Sequence, residues 1–428
     1  MSENNLAPSA DLTLDQKLPE ESTEAQNALP DSGTKAWLTV LGAWFVLFAS
    51  FGYIYSFGVY QDYYTRFYLS IHSPSKIAWI GSVQLSLPFL LGLVSGKLFD
   101  VGYFHALQLC GGVILTVSLF GLSLAKPQKY AQIFLSQGIG MGVGIGFVFV
   151  PSLSVLSHHF RHRKAWATGV AMTGVSVGAI VFPISTHLLP SIGFARTVRA
   201  TGYLVIGTLV LGNLLMRPSP PKDVSQKPQI GIKSIITDPP YLFGITGASM
   251  CLFGFYFPLI YLQLYAVEHG IDENLAFYSI SILNAAGIPG RLTANYFADI
   301  YGPWNLIIPT TALTAASIFS IFGVHSPGSL IAVSIFYGWF SGAWLSLIVA
   351  ALASLARHPN EVGLRTGFGL ALGSLATLGS APIQGRLLSS TFIWSKAIIF
   401  SGAFLAIPPL LFLLGRRFIV KERKTQRV

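Results

Sequence analysis

Arg291 is the residue with the clearest capacity for chemistry. It stands eight residues before Asp299, in a stretch from 275 to 298 that otherwise reads as a membrane span. At roughly 3.6 residues per turn this sets the guanidinium about two turns inside the hydrocarbon. A centrally placed charge costs roughly 2.5 to 3.5 kcal/mol on insertion scales, so a retained one is a functional candidate. Ser281, Asn284, Arg291 and Asn295 recur at three- and four-residue spacing. That puts them on one helix face, the pattern of a cavity wall, and Pro289 can loosen the helix there. The planar fork of donors on Arg291 suits a carboxylate on a substrate. Its other use is to snorkel, or to latch onto a loop acid.

Other chemistry is sparse. The chain has 17 acidic residues, and none falls deep in an apolar stretch: Asp62, Asp100, Asp299 and Glu361 all sit at ends or in loops. No proton-carrying carboxylate is evident in the core. His187 could titrate near neutral pH, although a lone histidine at a helix end is more often solvated. Arg386 suits an outer vestibule. Tyr53, Tyr55, Tyr256, Tyr261, Tyr337, Trp339 and Trp344 fall in predicted helices 1, 7 and 10. They suit a substrate with an apolar body, or an interfacial belt. Nothing points to a cofactor, a metal site or an enzyme: no nucleophile–base arrangement, ligand spacing or nucleotide loop is present. Gly138, Gly142 and Gly146 share a helix face and predict close helix approach, not a phosphate loop. Cys110 and Cys251 lie in apolar runs and read as packing residues.

The elements that must hold these residues are apolar helices. The 428 residues are 52% hydrophobic and only 10% charged, where ordinary soluble domains are about a quarter charged. A span takes roughly 20 apolar residues. Six fit between 36 and 216 and six more between 240 and 415, predicting an all-α membrane protein of twelve transmembrane helices in two pseudo-symmetric six-helix bundles. The expected organisation is a polar, disordered tail at 1–34, a first half at 35–216, a linker at 217–239, a second half at 240–415 and a basic tail at 416–428. The net charge of +10 lies in loops, which excludes a nucleic-acid-binding face. Basic residues favour the side holding both termini, which the positive-inside rule assigns to the cytosol. Duplication is legible too. Pro183 to His187 recurs as Pro382 to Arg386, and Asp100 as Asp299, both at an offset of 199; Thr168-Gly169 recurs as Thr366-Gly367 at 198.

The turns Gly96-Lys-Leu-Phe-Asp100-Val-Gly102 and Arg291 to Gly302 resemble the signature loop of the major facilitator superfamily. A closer resemblance, to the fungal type of the monocarboxylate porter family, runs over residues 31 to about 415. It is carried by Phe160 to Lys164 leading into Ala165 to Gly178, by Asp31-Ser-Gly33 with Trp37, by Phe51 to Asp62, and by Gly254 to Gly270. The resemblance implies a secondary carrier working by alternating access, with substrate at the midplane between the halves. It implies Asp100, Asp299, Lys97 and Arg163 as gating residues. It also implies that Arg291, Asn284, Tyr55, Tyr256 and Tyr337 contact a small organic anion such as a monocarboxylate. The lysine of helix 1 and the aspartate before the helix 8 arginine, which animal members use for proton coupling, appear here as Tyr55 and Gly287. Proton coupling therefore stays open. Fungal relatives include carriers of vitamin-like compounds and exporters of secondary metabolites, so a proton-independent facilitator or exporter is the alternative. A non-transporting membrane sensor is a remote one. The expected partners are the substrate and the lipid bilayer, and the expected place is the plasma membrane.

Overall fold

Backbone polar groups in hydrocarbon must be satisfied within their own segment, which dictates helices wherever the chain is apolar for long enough. The computed structural model describes residues 33–186, 192–218, 235, 237–356, 361–388 and 393–428. Their twelve long helices are α1 (Thr34–Tyr68), α2 (Pro74–Val101), α3 (Phe104–Ser123), α4 (Tyr130–His158), α5 (Lys164–Thr186), α6 (Phe194–Leu215), α7 (Pro239–Glu268), α8 (Glu273–Tyr301), α9 (Pro303–Gly323), α10 (Pro327–Ser354), α11 (Val362–Leu388) and α12 (Trp394–Arg423). Eleven are long and apolar enough to cross a membrane. The twelfth, α8, is as long but carries Asn284, Arg291, Asn295 and Asp299. Helices fall on all twelve expected stretches. The end differs: the helix runs through Gly415 and, with no glycine or proline among residues 416–423, α12 continues to Arg423, where Lys424 takes a left-handed conformation (φ 51°). Much of the basic stretch from Arg416 is therefore helix.

α1 to α6 form one bundle and α7 to α12 the other. They meet chiefly where α2 crosses α11 and where α8 crosses α5. The α2–α11 crossing is backbone against backbone: a Cβ on Gly367 would stand 2.1 Å from the Gly92 carbonyl oxygen. The α4 glycines do the packing expected of them, since a Cβ on Gly142 or Gly146 would meet Leu87 or Leu91 of α2 at 3.0 and 2.8 Å.

The first helix of each bundle is broken at mid-length. α1 follows a π-helical turn (Phe48–Gly52) with a break at Tyr55 and Ser56, before the helix resumes at Phe57. α7 breaks at Tyr256, two residues before Pro258, whose ring cannot sit under the carbonyl four residues back. Two tyrosines from equivalent places in the duplicated halves are thereby left at helix breaks between the bundles.

Candidate substrate cavity and gate

Around the breaks lies a cavity in three parts. The middle, polar chamber is lined by Tyr55, Ser176, Asn284 and Arg291, with Gly287, Gly338 and Gly342 as floor. Close approach explains the floor: a Cβ on Gly342 would lie 2.7 Å from the Gly287 Cα, so α8 and α10 touch there. Arg291 is only 3% exposed. Its Nε donates to the Ser176 hydroxyl at 3.2 Å, while Nη1 has no partner. No carboxylate pairs with it among the described residues. The hydroxyls of Tyr55 and Tyr256 are buried beside one another and reach no other hydrogen-bond partner among the described residues. Asn284 donates back to the Ile280 carbonyl at 2.9 Å. The chamber thus gathers a cation and unused O–H donors without a fixed anion, an arrangement that suits an acceptor-rich, acidic group.

On the side away from Asp100 and Asp299, a vestibule of about 60 Å³ is lined by Phe57, Gln61, Ser82, Tyr256, Thr377 and Ser380 among others. On the near side lies an apolar chamber of about 20 Å³. A site for one water needs roughly 10–15 Å³ and a drug-sized ligand roughly 300–1,000 Å³, so the cavity is contracted.

The end beyond the apolar chamber is closed by two caps that cross between the bundles. Asp299, ending α8, accepts from the backbone N–H of Ala165 (2.9 Å) and Trp166 (2.8 Å) at the start of α5. Asp100, ending α2, accepts from the N–H of Leu364 (2.9 Å) at the start of α11. Each carboxylate satisfies N–H groups that a helix start leaves orphaned, and it faces the positive end of the helix dipole. Lys97 and Arg163 are exposed at this end, and the capping bonds go to backbone rather than to them.

Two expected site residues are placed elsewhere. Tyr337 does not line the cavity: its hydroxyl donates to the Phe255 carbonyl, which the break in α7 leaves without a helical partner, so it braces that break. Asn295 packs between α5, α8 and α10, donating to the Arg291 carbonyl (2.8 Å) and the Ser346 hydroxyl (2.6 Å). Trp339 is 37% exposed on the outer face, and Arg386 is exposed at the end of α11. His187 lies outside the described residues. Ser176 was not anticipated, because a serine in an apolar helix gives no signal until α5 is seen to cross α8. The same is true of an ion cluster at the start of α11. There Arg365 pairs with Asp238 (2.7 Å) and Glu361 (2.9 Å), all three buried. Asp238 and Glu361 do sit at helix ends, as expected, yet packing takes them out of water.

A crossed pair of capped helices closing one end of a twelve-helix, two-bundle carrier fold defines a class, and the sequence agrees with it: the model of the major facilitator superfamily matches residues 36–327, and the chain belongs to that family. It is a transporter and not an enzyme. Among its relatives, the aspyridones efflux protein of Emericella nidulans is 38% identical over 87% of this chain and 76% of its own length. The fujikurins efflux protein of Gibberella fujikuroi is 33% identical over 96% of this chain and 88% of its own. In fold it resembles the human organic anion transporter MFSD10 (TM-score 0.65, 13% identity, 90% of this chain and 99% of that one). It likewise resembles the fucose:proton symporter of E. coli (TM-score 0.66, 15% identity, 88% and 98%).

Proposed function

We propose that this carrier exports a secondary metabolite that bears an acidic group. The observation that carries the acidic group is Arg291: buried, unpaired with any carboxylate among the described residues, and flanked by the neighbouring hydroxyls of Tyr55 and Tyr256, which have only each other. Leaving such a cation unpaired costs several kcal/mol unless a ligand completes it. The direction rests on relatives named for efflux, and the resemblance to monocarboxylate porters supports an acid as cargo. Those efflux relatives weigh against the rival reading, import of a small monocarboxylate. The basic bias of the loops supports a cytosolic Asp100–Asp299 end, and on that reading the state described here is closed inward, with its vestibule toward the outside. Asp100 and Asp299 act as gate latches by capping, while Lys97 and Arg163 contribute as surface charge. A plasma-membrane location fits export.

Cells expressing the chain and loaded with 2-naphthoate test this reading. Wild type should clear the probe faster than empty-vector cells, and Arg291→Gln should lose at least about 90% of the difference, the scale of a lost charged hydrogen bond. Equal clearance by vector and wild type at matched surface expression would sink the proposal. Lactate uptake by wild type and not by vector would favour the rival. Repeating the assay with a protonophore separates proton-driven from facilitated movement.

A further inference from the structure

The apolar chamber on the gate side of Arg291 is built differently from the rest of the core. Its walls come from both bundles: Phe51, Phe89, Phe149 and Met172 from the first, and Leu252, Trp344, Ile348 and Leu370 from the second. Aromatic rings lead into it along two lines. From Tyr55 the first line passes to Phe51, one turn nearer the gate, and on to Phe149, with centroids 6.5 and 4.3 Å apart. From Tyr256 the second passes to Phe255 and on to Trp344, at 5.3 and 4.9 Å. Both lines begin at a helix break beside the polar chamber and end in the apolar one. Leu345 lines both chambers, so the two adjoin at its side chain.

Trp344 adds a second observation. It is 1% exposed, it lines the apolar chamber, and its indole N–H has no acceptor among the described residues. A buried tryptophan N–H normally finds a partner, and leaving one unsatisfied is costly. An apolar wall needs no such donor. A ligand with an acceptor at that depth does.

We infer that the cargo is an amphiphile with three parts: an acidic head at Arg291, Tyr55 and Tyr256, a neutral hydrogen-bond acceptor that meets the indole N–H of Trp344, and a flat apolar or aromatic body held between the two lines of rings on the gate side. This rests on the acidic-cargo reading above and adds the body and the second acceptor. The contracted volume is consistent with it, because the two walls belong to opposite bundles: when the caps at Asp100 and Asp299 release, the walls separate and the chamber widens. The cargo then enters from the gate side and lies head outward, with the acid nearest the vestibule through which it leaves.

Calorimetric titration of the full chain in lipid nanodiscs, against empty nanodiscs, tests this with three probes: acetate, 2-naphthoate and 6-acetyl-2-naphthoate. The expected order is no measurable binding of acetate, clear binding of 2-naphthoate, and binding of the acetyl compound tighter by about three- to tenfold, the worth of one added hydrogen bond. Trp344→Phe keeps a ring and removes the N–H, so it should abolish the acetyl advantage and bring the two naphthoates to equal affinity. Phe149→Leu should weaken both naphthoates. Arg291→Gln should weaken both by tenfold or more. Acetate binding as tightly as 2-naphthoate, an acetyl advantage that survives Trp344→Phe, or no binding of either naphthoate would overturn the inference. If Trp344→Phe and Phe149→Leu behave as expected while Arg291→Gln changes nothing, the acidic head fails, and with it the acidic-cargo reading and the three-part cargo. If Arg291→Gln alone matters, the acidic head survives and the apolar body and second acceptor fall.

Discussion

Arg291 and Arg365 are both almost completely buried, at 3% and 2% exposed, and each stands on a helix that crosses between the bundles. Their surroundings are opposite. Arg365 is held by Asp238 and Glu361 at 2.7 and 2.9 Å, at the gate end of α11. Arg291 has one serine hydroxyl and no acid, at the middle of α8. A buried charge that the fold itself completes is part of the frame, whereas one left incomplete is open to a ligand, as proposed above for Arg291. The crossings differ in the same sense. At the α2–α11 crossing a Cβ on Gly367 would meet the Gly92 carbonyl oxygen at 2.1 Å, whereas at the α5–α8 crossing one on Gly169 would meet the Asn295 side chain first, at 2.7 Å, and the Arg291 carbonyl oxygen at 3.0 Å.

The sharpest test of that contrast is stability. Arg365→Leu strands two buried carboxylates and should cost about 3–5 kcal/mol, read as a large fall in the melting temperature of the purified protein. Arg291→Leu removes an unpaired charge and should leave the melting temperature unchanged or raise it; equal losses would break the contrast. Next in size are the caps. Asp299→Ala and Asp100→Ala each free helix-start N–H groups, a loss of about 0.5–2 kcal/mol. Each should speed maleimide labelling of Leu352→Cys, in the apolar chamber, by about two- to thirtyfold in a background lacking Cys110 and Cys251. A response from only one of them would mean that the two crossings are not latched alike. The smallest effect belongs to Ser176→Ala. Losing the bond to Nε should weaken binding of 2-naphthoate about two- to tenfold without moving the melting temperature.

Much of this was legible in the residues. Apolar length marks the helices because hydrocarbon leaves the backbone no other partner, and the recurrence of Asp100 as Asp299 announces the crossed caps. Arg291 is legible for its cost. Legibility fails where the third dimension assigns the role. Tyr55, Tyr256 and Tyr337 look alike along the chain, yet only the first two line the cavity. Tyr337 stands one turn of α10 before the lining Ser341, and spends its hydroxyl on the broken α7. Nothing in the sequence distinguishes Trp344 from the lipid-facing Trp339, five residues away on the same helix. Glu361 reads as an end or loop residue, because its burial beside Asp238 and Arg365 depends on which other helix ends are packed there.

The polar face of α8 has a consequence for how the protein is made. A helix carrying Arg291, Asn284 and Asn295 is poorly suited to leave the translocon for lipid by itself, and the groups that cover those side chains belong to α5, synthesised earlier, and α10, synthesised later. α8 is therefore expected to partition into the bilayer in the company of α5 and α10 rather than by itself. Substitutions on the α10 face that receives it, at Gly338 or Gly342, are expected to appear first as misinserted chains cleared by quality control, before any defect in transport could be measured.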